Sequence, residues 1–464
     1  QELIMRNQVK YKRLIKLSFA VVQMCFILIL YYFVWTDYYN KVVTSPFWRR
    51  GNWMMVFLYG ILLYFFMKMY GGFKVGYLQK GNLIFSQILS VCFTNIFTYF
   101  QITALNKHFF VPTVLLLMTA ADIVVIVVWT ILFQKLYLRL FPPRKLLLLS
   151  GNRSDYHLIE KINTREDKYE IIDTINYKKG FELFQKKIQN SDGVIIGDIP
   201  SHERNQILKY CFEQNIRAYS VPKISDILLK SSAELTLFDS PLLLSRNEGL
   251  TIEQLWGKRL MDLIFSIVSL VIALPFFIVI GGLIKLTDPG PVFYKQERLT
   301  VNGKIFQIYK FRTMIQDAEK ETGPQLASKE DERILPVGRF LRRFRLDELP
   351  QIFNILKGDM SLVGPRPERP ELAKEIEKEI PEFPYRLKVK AGLTGYAQIY
   401  GKYNTTSYDK LKLDLTYIRN YSMWLDLKLI LMTPKIMMLK ESSEGVIDKK
   451  CTGRKVGISD KTLC

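Results

Sequence analysis

The chain has 464 residues, 49% of them apolar, and a formal net charge of +21. That length allows two or three domains, and the apolar share is high for a protein that lives wholly in water. The charge excess would suit nucleic acid, but residues 1–145 hold sixteen Lys/Arg and three Asp/Glu, a net +13, leaving +8 for the other 319 residues. No acidic residue falls between Asp37 and Asp122, where the long apolar runs lie. Basic excess in short loops beside apolar runs is what the positive-inside rule produces, so membrane lipid is the expected partner and nucleic acid is not.

Residues 1–143 read as a membrane region with four helices, at about 14–35, 53–70, 83–104 and 112–138. Each is near the ~20 residues needed to cross the hydrocarbon layer. The N-terminal basic residues, Lys68, Lys74 and Lys80 of the second loop, and Lys135, Arg139, Arg144 and Lys145 at the exit are expected in the cytoplasm. The third loop has only Lys107, as an outside loop should; Lys41, Arg49 and Arg50 in the first loop fit the rule less well. The first apolar run leads into further spans instead of a cleavage site, so no cleavable signal peptide is expected. Cys25, Cys92, Cys211, Cys451 and Cys464 are scattered without a CxxC pair, against disulfides or zinc. His108, His157 and His202 are isolated and read as surface or loop residues.

From 144 to 245 the character changes. Short β-rich runs at 146–149, 169–175, 193–196 and 216–221 alternate with helical stretches at 181–188 and 202–213, which predicts a Rossmann-like parallel sheet covered by helices. The first strand leads into Ser150-Gly151-Asn152-Arg153, which lacks the GxGxxG that lets backbone approach a pyrophosphate, so a dinucleotide is not expected there.

Leu260 to Ile284 is charge-free except for Asp262 and long enough to span, but Pro275 lies near its middle and should bend the helix. Two readings fit: a kinked spanning helix, or a re-entrant one over 257–285 that returns to the face it entered. Further on, Arg339-Phe340-Leu341-Arg342-Arg343-Phe344-Arg345-Leu346 interleaves cations with apolar groups, which suits either a headgroup boundary or a helix packed on its own domain. Asp347-Glu348 follows directly. Nearby arginines should keep both acids ionised. Neighbours on a helix face different ways, so the two acids divide labour: one to attack phosphorus, the other to hold Mg²⁺. The competing reading is a helix N-cap with Pro350 in the first turn.

Residues from about 258 to 440 resemble the bacterial sugar transferase family, the monotopic phosphoglycosyl transferases. The resemblance rests on Lys258-Arg259-x-x-Asp262, Pro289-Gly290-Pro291-Val292-Phe293, Gln296-Glu297-Arg298 and Tyr309-Lys310-Phe311-Arg312-Thr313-Met314. It continues through Asp347-Glu348-Leu349-Pro350-Gln351, Gly358 to Pro367 with its Pro365-Arg366-Pro367, Gly392-Leu393-Thr394-Gly395 and Asp414-x-x-Tyr417. Each block is weak alone; their order over some 180 residues is specific. Four helices and a Rossmann-like domain in front look like the long form of the family, whose members include hexose-1-phosphate transferases that start exopolysaccharide, capsule or O-antigen units.

The resemblance implies a catalytic domain over 255–440, mostly α, followed by a polar tail at 441–464. It implies Asp347 as nucleophile on the sugar-linked phosphate of a UDP-sugar, with UMP released, and Glu348 as the Mg²⁺ ligand. Undecaprenyl phosphate would then take the phosphosugar from Asp347. Lys310, Arg312 and Arg342 would hold substrate phosphates and Arg366 the nucleotide end. The family's re-entrant helix, broken at a proline matching Pro275, would keep the catalytic domain on the cytoplasmic face of the bacterial inner membrane, with Lys258 and Arg259 anchored among lipid phosphates. Two departures stand out: Leu274 replaces the serine often found before that proline, and Ala391 replaces the proline often found before Gly-x-Thr-Gly. Neither touches the acidic pair.

Two other function classes were weighed: a membrane-anchored nucleotide-sugar oxidoreductase or dehydratase, and an inactive assembly or export partner. The missing glycine fingerprint counts against the first, the intact Asp347, Glu348, Lys310 and Arg366 against the second. The identity of the sugar is not readable from the residues, and a homodimer is the favoured assembly.

Overall fold

The computed structural model describes residues 2–151, 156–237, 239–245, 249–315, 331, 333–402 and 405–438. They fall into two compact units, divided between Lys223 and Ile224. Residues 152–155, with the Asn152-Arg153 of the sequence after the first strand, and residues 439–464, with the polar tail, lie outside the described residues.

The first unit opens with α1 (Glu2–Val34), which runs through a π-helical turn at Trp35–Tyr39 into the short α2 (Asn40–Val42). Then come α3 (Arg49–Tyr70), α4 (Lys80–Asn106) and α5 (Thr113–Leu140). Spans of 32, 22, 27 and 28 residues here are long and apolar enough to cross a membrane. Their polarity is inverted relative to a water-soluble bundle. Phe57, Leu116, Leu117 and Val124 are each more than 60% exposed on the outside. Inside, Gln23 and Thr130 donate to Gln87 Oε1 at 3.0 and 2.8 Å, and Tyr59 donates to Asn95 Oδ1 at 2.8 Å. Lipid tails are as apolar as leucine, so packing and interhelical hydrogen bonds must hold such a bundle together. Tyr31 stacked on Tyr59 at 4.0 Å supplies part of that packing.

The same unit continues with β1 (Arg144–Ser150), α6 (Tyr156–Asn163), β2 (Tyr169–Asn176), α7 (Phe181–Ile188), β3 (Gly193–Ile196), α8 (Ser201–Glu213) and β4 (Arg217–Ser220). The strands form one parallel sheet in the order β2-β1-β3-β4. Leu146 to Leu149 are all buried, as an inner strand covered on both faces requires. The parallel sheet expected from strand–helix alternation is therefore present.

Its boundary is not where the sequence suggested. The α/β domain was expected to run to 245, but the sheet ends at Ser220. The next elements, α9 (Ile224–Lys230) and the hairpin β5 (Ala233–Leu237) with β6 (Ser240–Leu244), belong to the second unit. The cause is burial. Ile224 and Ile227 enter the core formed by Ile355, Met360, Val363, Leu411 and Leu415, while Arg419 donates to Ser231 Oγ at 2.7 Å and to Leu228 O at 3.2 Å.

That unit is built around α10 (Ile252–Thr287), 36 residues long and opened by a capping box between Thr251 and Gln254. It is followed by β7 (Phe293–Leu299) and β8 (Ile305–Phe311), an antiparallel hairpin, then α11 (Pro336–Arg343) and α12 (Gln351–Lys357). The remaining elements are β9 (Ser361–Val363), α13 (Pro370–Glu379), β10 (Gly392–Thr394) parallel to β9, α14 (Tyr396–Tyr400), α15 (Ser407–Arg419) and α16 (Met423–Met438). Where a helix, a break and a second helix were expected, α10 runs as one helix from Ile252 to Thr287 with Pro275, which has no N–H to donate, inside it.

Both arms of α10 touch the same short helix. Arg259 donates to Ile355 O at 2.6 Å and Leu356 O at 2.7 Å, and the Phe277 ring lies 5.5 Å from that of Phe353. Between and around these contacts, Val271, Ile272, Ile278 and Val279 point outward, each at least 61% exposed.

Candidate active site

Asp347 and Glu348 lie on one 3-10 turn, Leu346–Glu348, between α11 and α12. Arg345 enters that turn with φ 53° and ψ 25°. A left-handed backbone on a non-glycine residue is uncommon and marks a place where the surroundings hold the chain in a costly conformation. Here it turns the chain sharply at the end of α11, just before the two acids.

Glu348 Oε1 accepts from Lys310 Nζ at 3.2 Å and from Arg366 Nη2 at 2.8 Å. Three separate segments thus converge: β8, the 3-10 turn and the Pro365-Arg366-Pro367 loop. Burial alone would raise the Glu348 pKa, but Arg366, Lys310 and Arg345 outweigh it and hold the carboxyl well below its ordinary value. Asp347 goes the other way. Burial raises its pKa, Glu348 adds to the rise, and Lys310, Arg342 and Arg366 offset only part of it. The expectation that nearby arginines keep both acids ionised is thus met for Glu348, whereas for Asp347 desolvation is the stronger influence.

The scaffold explains most of the sequence blocks. Asn354, fully buried on α12, accepts from Tyr309 N at 2.9 Å and donates to Gln307 O at 2.7 Å. It fastens the strand carrying Lys310 to the helix that follows the acidic pair. Arg298 donates to Pro367 O at 3.2 Å, and Arg386 donates to Arg366 O at 3.0 Å while paired with Asp414 at 2.8 Å. The backbone of the Pro-Arg-Pro loop is therefore braced by other residues, which leaves the Arg366 side chain, 44% exposed, to serve Glu348. A side chain on Gly392 would sit 2.0 Å from Gly364 N, so the two glycine-bearing loops meet backbone to backbone. Beyond Arg366 lies a cavity of about 360 Å³ lined by Leu299, Ile305, Pro365, Lys374 and Arg386.

Four other candidates are placed differently from expectation, in part or whole. Arg312 is 6% exposed and gives Nη1 to Asp288 Oδ2 at 3.0 Å and Nη2 to Asp288 O at 2.7 Å. It clamps the end of β8 to the end of α10 and is not beside Glu348. Arg342 donates Nε to Thr313 Oγ1 at 2.9 Å, and its guanidinium, depressed by burial, is sustained by Asp347. Lys258 was expected among lipid phosphates. It is 4% exposed, bonded to Asp426 Oδ2 at 2.6 Å and Tyr417 Oη at 3.1 Å, because a buried ammonium needs a paired carboxylate far more than it needs the headgroups. Arg259 spends its donors on the last carbonyls of α12, a helix C-terminus that favours a cation.

Sequence reading missed Asn354, Arg386 and Asp426 as supports. Asp414 and Tyr417 carried a signal only as a spacing; Asp414 pairs with Arg386, and Tyr417 bonds to Lys258 and Asp426. Among the described residues no group of three or more His, Cys, Asp and Glu side chains could hold a metal by itself.

Residues 253–440 match the profile of the family described as bacterial sugar transferase. A Bacillus subtilis (strain 168) relative is 52% identical over 130 residues, which cover 28% of this chain and 72% of the relative. This chain belongs to the bacterial sugar transferase family. Two longer relatives of that family also match. The UDP-N-acetylgalactosamine-undecaprenyl-phosphate N-acetylgalactosaminephosphotransferase of Aeromonas hydrophila is 40% identical over 184 residues, 39% of this chain and 43% of the relative. The UDP-glucose:undecaprenyl-phosphate glucose-1-phosphate transferase of Xanthomonas campestris pv. campestris is 37% identical over 246 residues, 51% of each chain. The matches span about half the length of these two relatives. In this bacterial sugar transferase the family segment contains the acidic pair, its cations and their supports.

Proposed function

We propose that the protein transfers a sugar-1-phosphate from a UDP-sugar to undecaprenyl phosphate through a covalent intermediate on Asp347. The observation that carries this reading is the division of the acidic pair: Glu348 is fixed and ionised by Lys310 and Arg366, while Asp347 accepts no described hydrogen bond and is raised in pKa by burial. A carboxylate with depleted solvation is the better nucleophile of the two.

In the first step an Asp347 carboxylate oxygen forms a bond to the sugar-linked phosphorus while the bond to UMP breaks, and UMP leaves with the electron pair. In the second, an oxygen of undecaprenyl phosphate attacks the same phosphorus, the acyl phosphate bond breaks, and the Asp347 carboxylate is regenerated. Lys310, Arg342 and Arg366 offset charge on the phosphate oxygens, and the cavity beside Arg366 has room for the nucleotide end.

Glu348, with Asp347 beside it, would hold Mg²⁺. A set of one or two carboxylates completed by substrate phosphates and water suits that ion, which seldom uses an all-protein cage. When bound it would neutralise phosphate charge.

The reading also includes a re-entrant α10, with both ends on the cytoplasmic face of the membrane. A straight helix of this length would extend about 54 Å. Contacts of both arms with α12, and an outward apolar surface around Pro275, favour a bent helix dipping into one leaflet.

The experiment is UMP release from a panel of UDP-sugars by membranes containing wild type or Asp347→Asn, with undecaprenyl phosphate and Mg²⁺. Wild type should release UMP with one donor, and Asp347→Asn should lose at least about 10³-fold, the scale expected when a covalent step is removed. UMP release by Asp347→Asn at the wild-type rate would remove the covalent route.

A further inference from the structure

Five cations of the first unit gather at one end of its apolar helices. Lys12 Nζ lies 4.7 Å from the centre of the Phe141 ring and 5.4 Å from that of Tyr137. Lys16 Nζ is 4.3 Å from the Tyr77 ring, and Lys168 Nζ is 4.6 Å from the same ring. Arg144 donates to Tyr219 Oη at 3.1 Å. The charged groups acting on Lys12 are Arg144, Lys16, Lys168 and Arg217, every one positive. Lys168, outside the spans, is pulled below its ordinary pKa by burial and by Arg165 and Arg144.

Among the described residues none of these five forms an ion pair; the nearby Asp167 is taken by Arg165 at 2.8 Å. Aromatic faces compensate a cation only partly, and half-buried like charges repel one another. Lys12 and Lys16 begin the first span, Tyr137 and Phe141 close the last, and Tyr77 sits in the loop after α3. A ring of tyrosines with basic residues at the end of apolar helices is the composition of headgroup depth.

We infer that this cluster binds a phosphate-bearing anion, either the headgroup of an acidic phospholipid or a soluble phosphate compound. Two or more negative charges meet cations contributed by α1, β1, the turn just before β2, and β4, so the bound anion ties the sheet to the bundle within the first unit. The cations belong to the first unit and the acidic pair to the second, and the inferred binding does not depend on the transfer reaction.

The test uses the full chain in detergent. Native mass spectrometry follows the binding of phosphatidylglycerol and cardiolipin against phosphatidylcholine, and calorimetry follows inorganic pyrophosphate. Lys12→Gln combined with Lys168→Gln should weaken the preferred anion about ten-fold or more, while Lys178→Gln, outside the cluster, leaves it unchanged. The charge-preserving pair Lys12→Arg with Lys168→Arg should restore binding and guards against a merely misfolded glutamine variant. Loss confined to the acidic lipids assigns a headgroup; loss confined to pyrophosphate assigns a soluble ligand. Wild type that prefers neither over phosphatidylcholine overturns the inference. So does a glutamine pair that binds like wild type, or an arginine pair that fails as fully as the glutamine pair.

Discussion

Lys258 shows what a single residue can hide. At the mouth of an apolar helix a lysine reads as a snorkelling anchor, and nothing nearby in sequence says otherwise. Its carboxylate partner, Asp426, lies 168 residues on, and Tyr417 completes the group by donating to Asp426 Oδ1 at 2.8 Å. Removing one member of a buried pair strands the other charge. Lys258→Met should therefore cost about 3–5 kcal/mol, whereas Lys258→Met with Asp426→Leu should recover most of that. Thermal or denaturant unfolding of the two variants in the same detergent checks this, and equal losses would mean that packing, not stranded charge, sets the cost. The acidic pair, by contrast, stood out as a pattern, but adjacent carboxylates followed by Pro350 also fit a helix N-cap, and the family blocks around them were needed to read them as a site. What the residues alone could not supply was the sign of the Asp347 shift, which depends on how deeply the turn is buried.

At the scale of elements, period and run length carried most of the information. Unbroken apolar runs marked the two inner parallel strands, and four long ones marked helices long and apolar enough to cross a membrane, to within a few residues at most ends. The hard element was α10. Composition marks its apolar length and Pro275 but says nothing of where the arms go, since that is decided by Arg259 at one end and Phe277, Ile280 and Ile284 at the other. Cysteine accessibility in cells tests the outcome. In a cysteine-free background, Lys304→Cys in the β7–β8 turn and Lys145→Cys should be labelled by an impermeant reagent only after permeabilisation, and His108→Cys in intact cells. Labelling of Lys304→Cys in intact cells would instead make α10 a full span.

Across the whole molecule, the boundary was the least legible feature. Sequence placed it after residue 245, beyond the last strand of the alternation at 216–221, and alternation cannot say which core the next helix joins. Two isoleucines decide it, by burying themselves against β9, α12 and α15. That has a practical consequence for excision. The family match begins at residue 253, yet a fragment cut there would discard Ile224 and Ile227 and leave Arg419 without Ser231 and Leu228. Each lost isoleucine removes about 1.5–3 kcal/mol of burial, enough to consume a large part of an ordinary domain's margin. A fragment of 224–438 should melt well above one of 253–438 in the same detergent, and equal melting would show that the upstream strap is dispensable. The folded domain begins some thirty residues before the segment that matches the family.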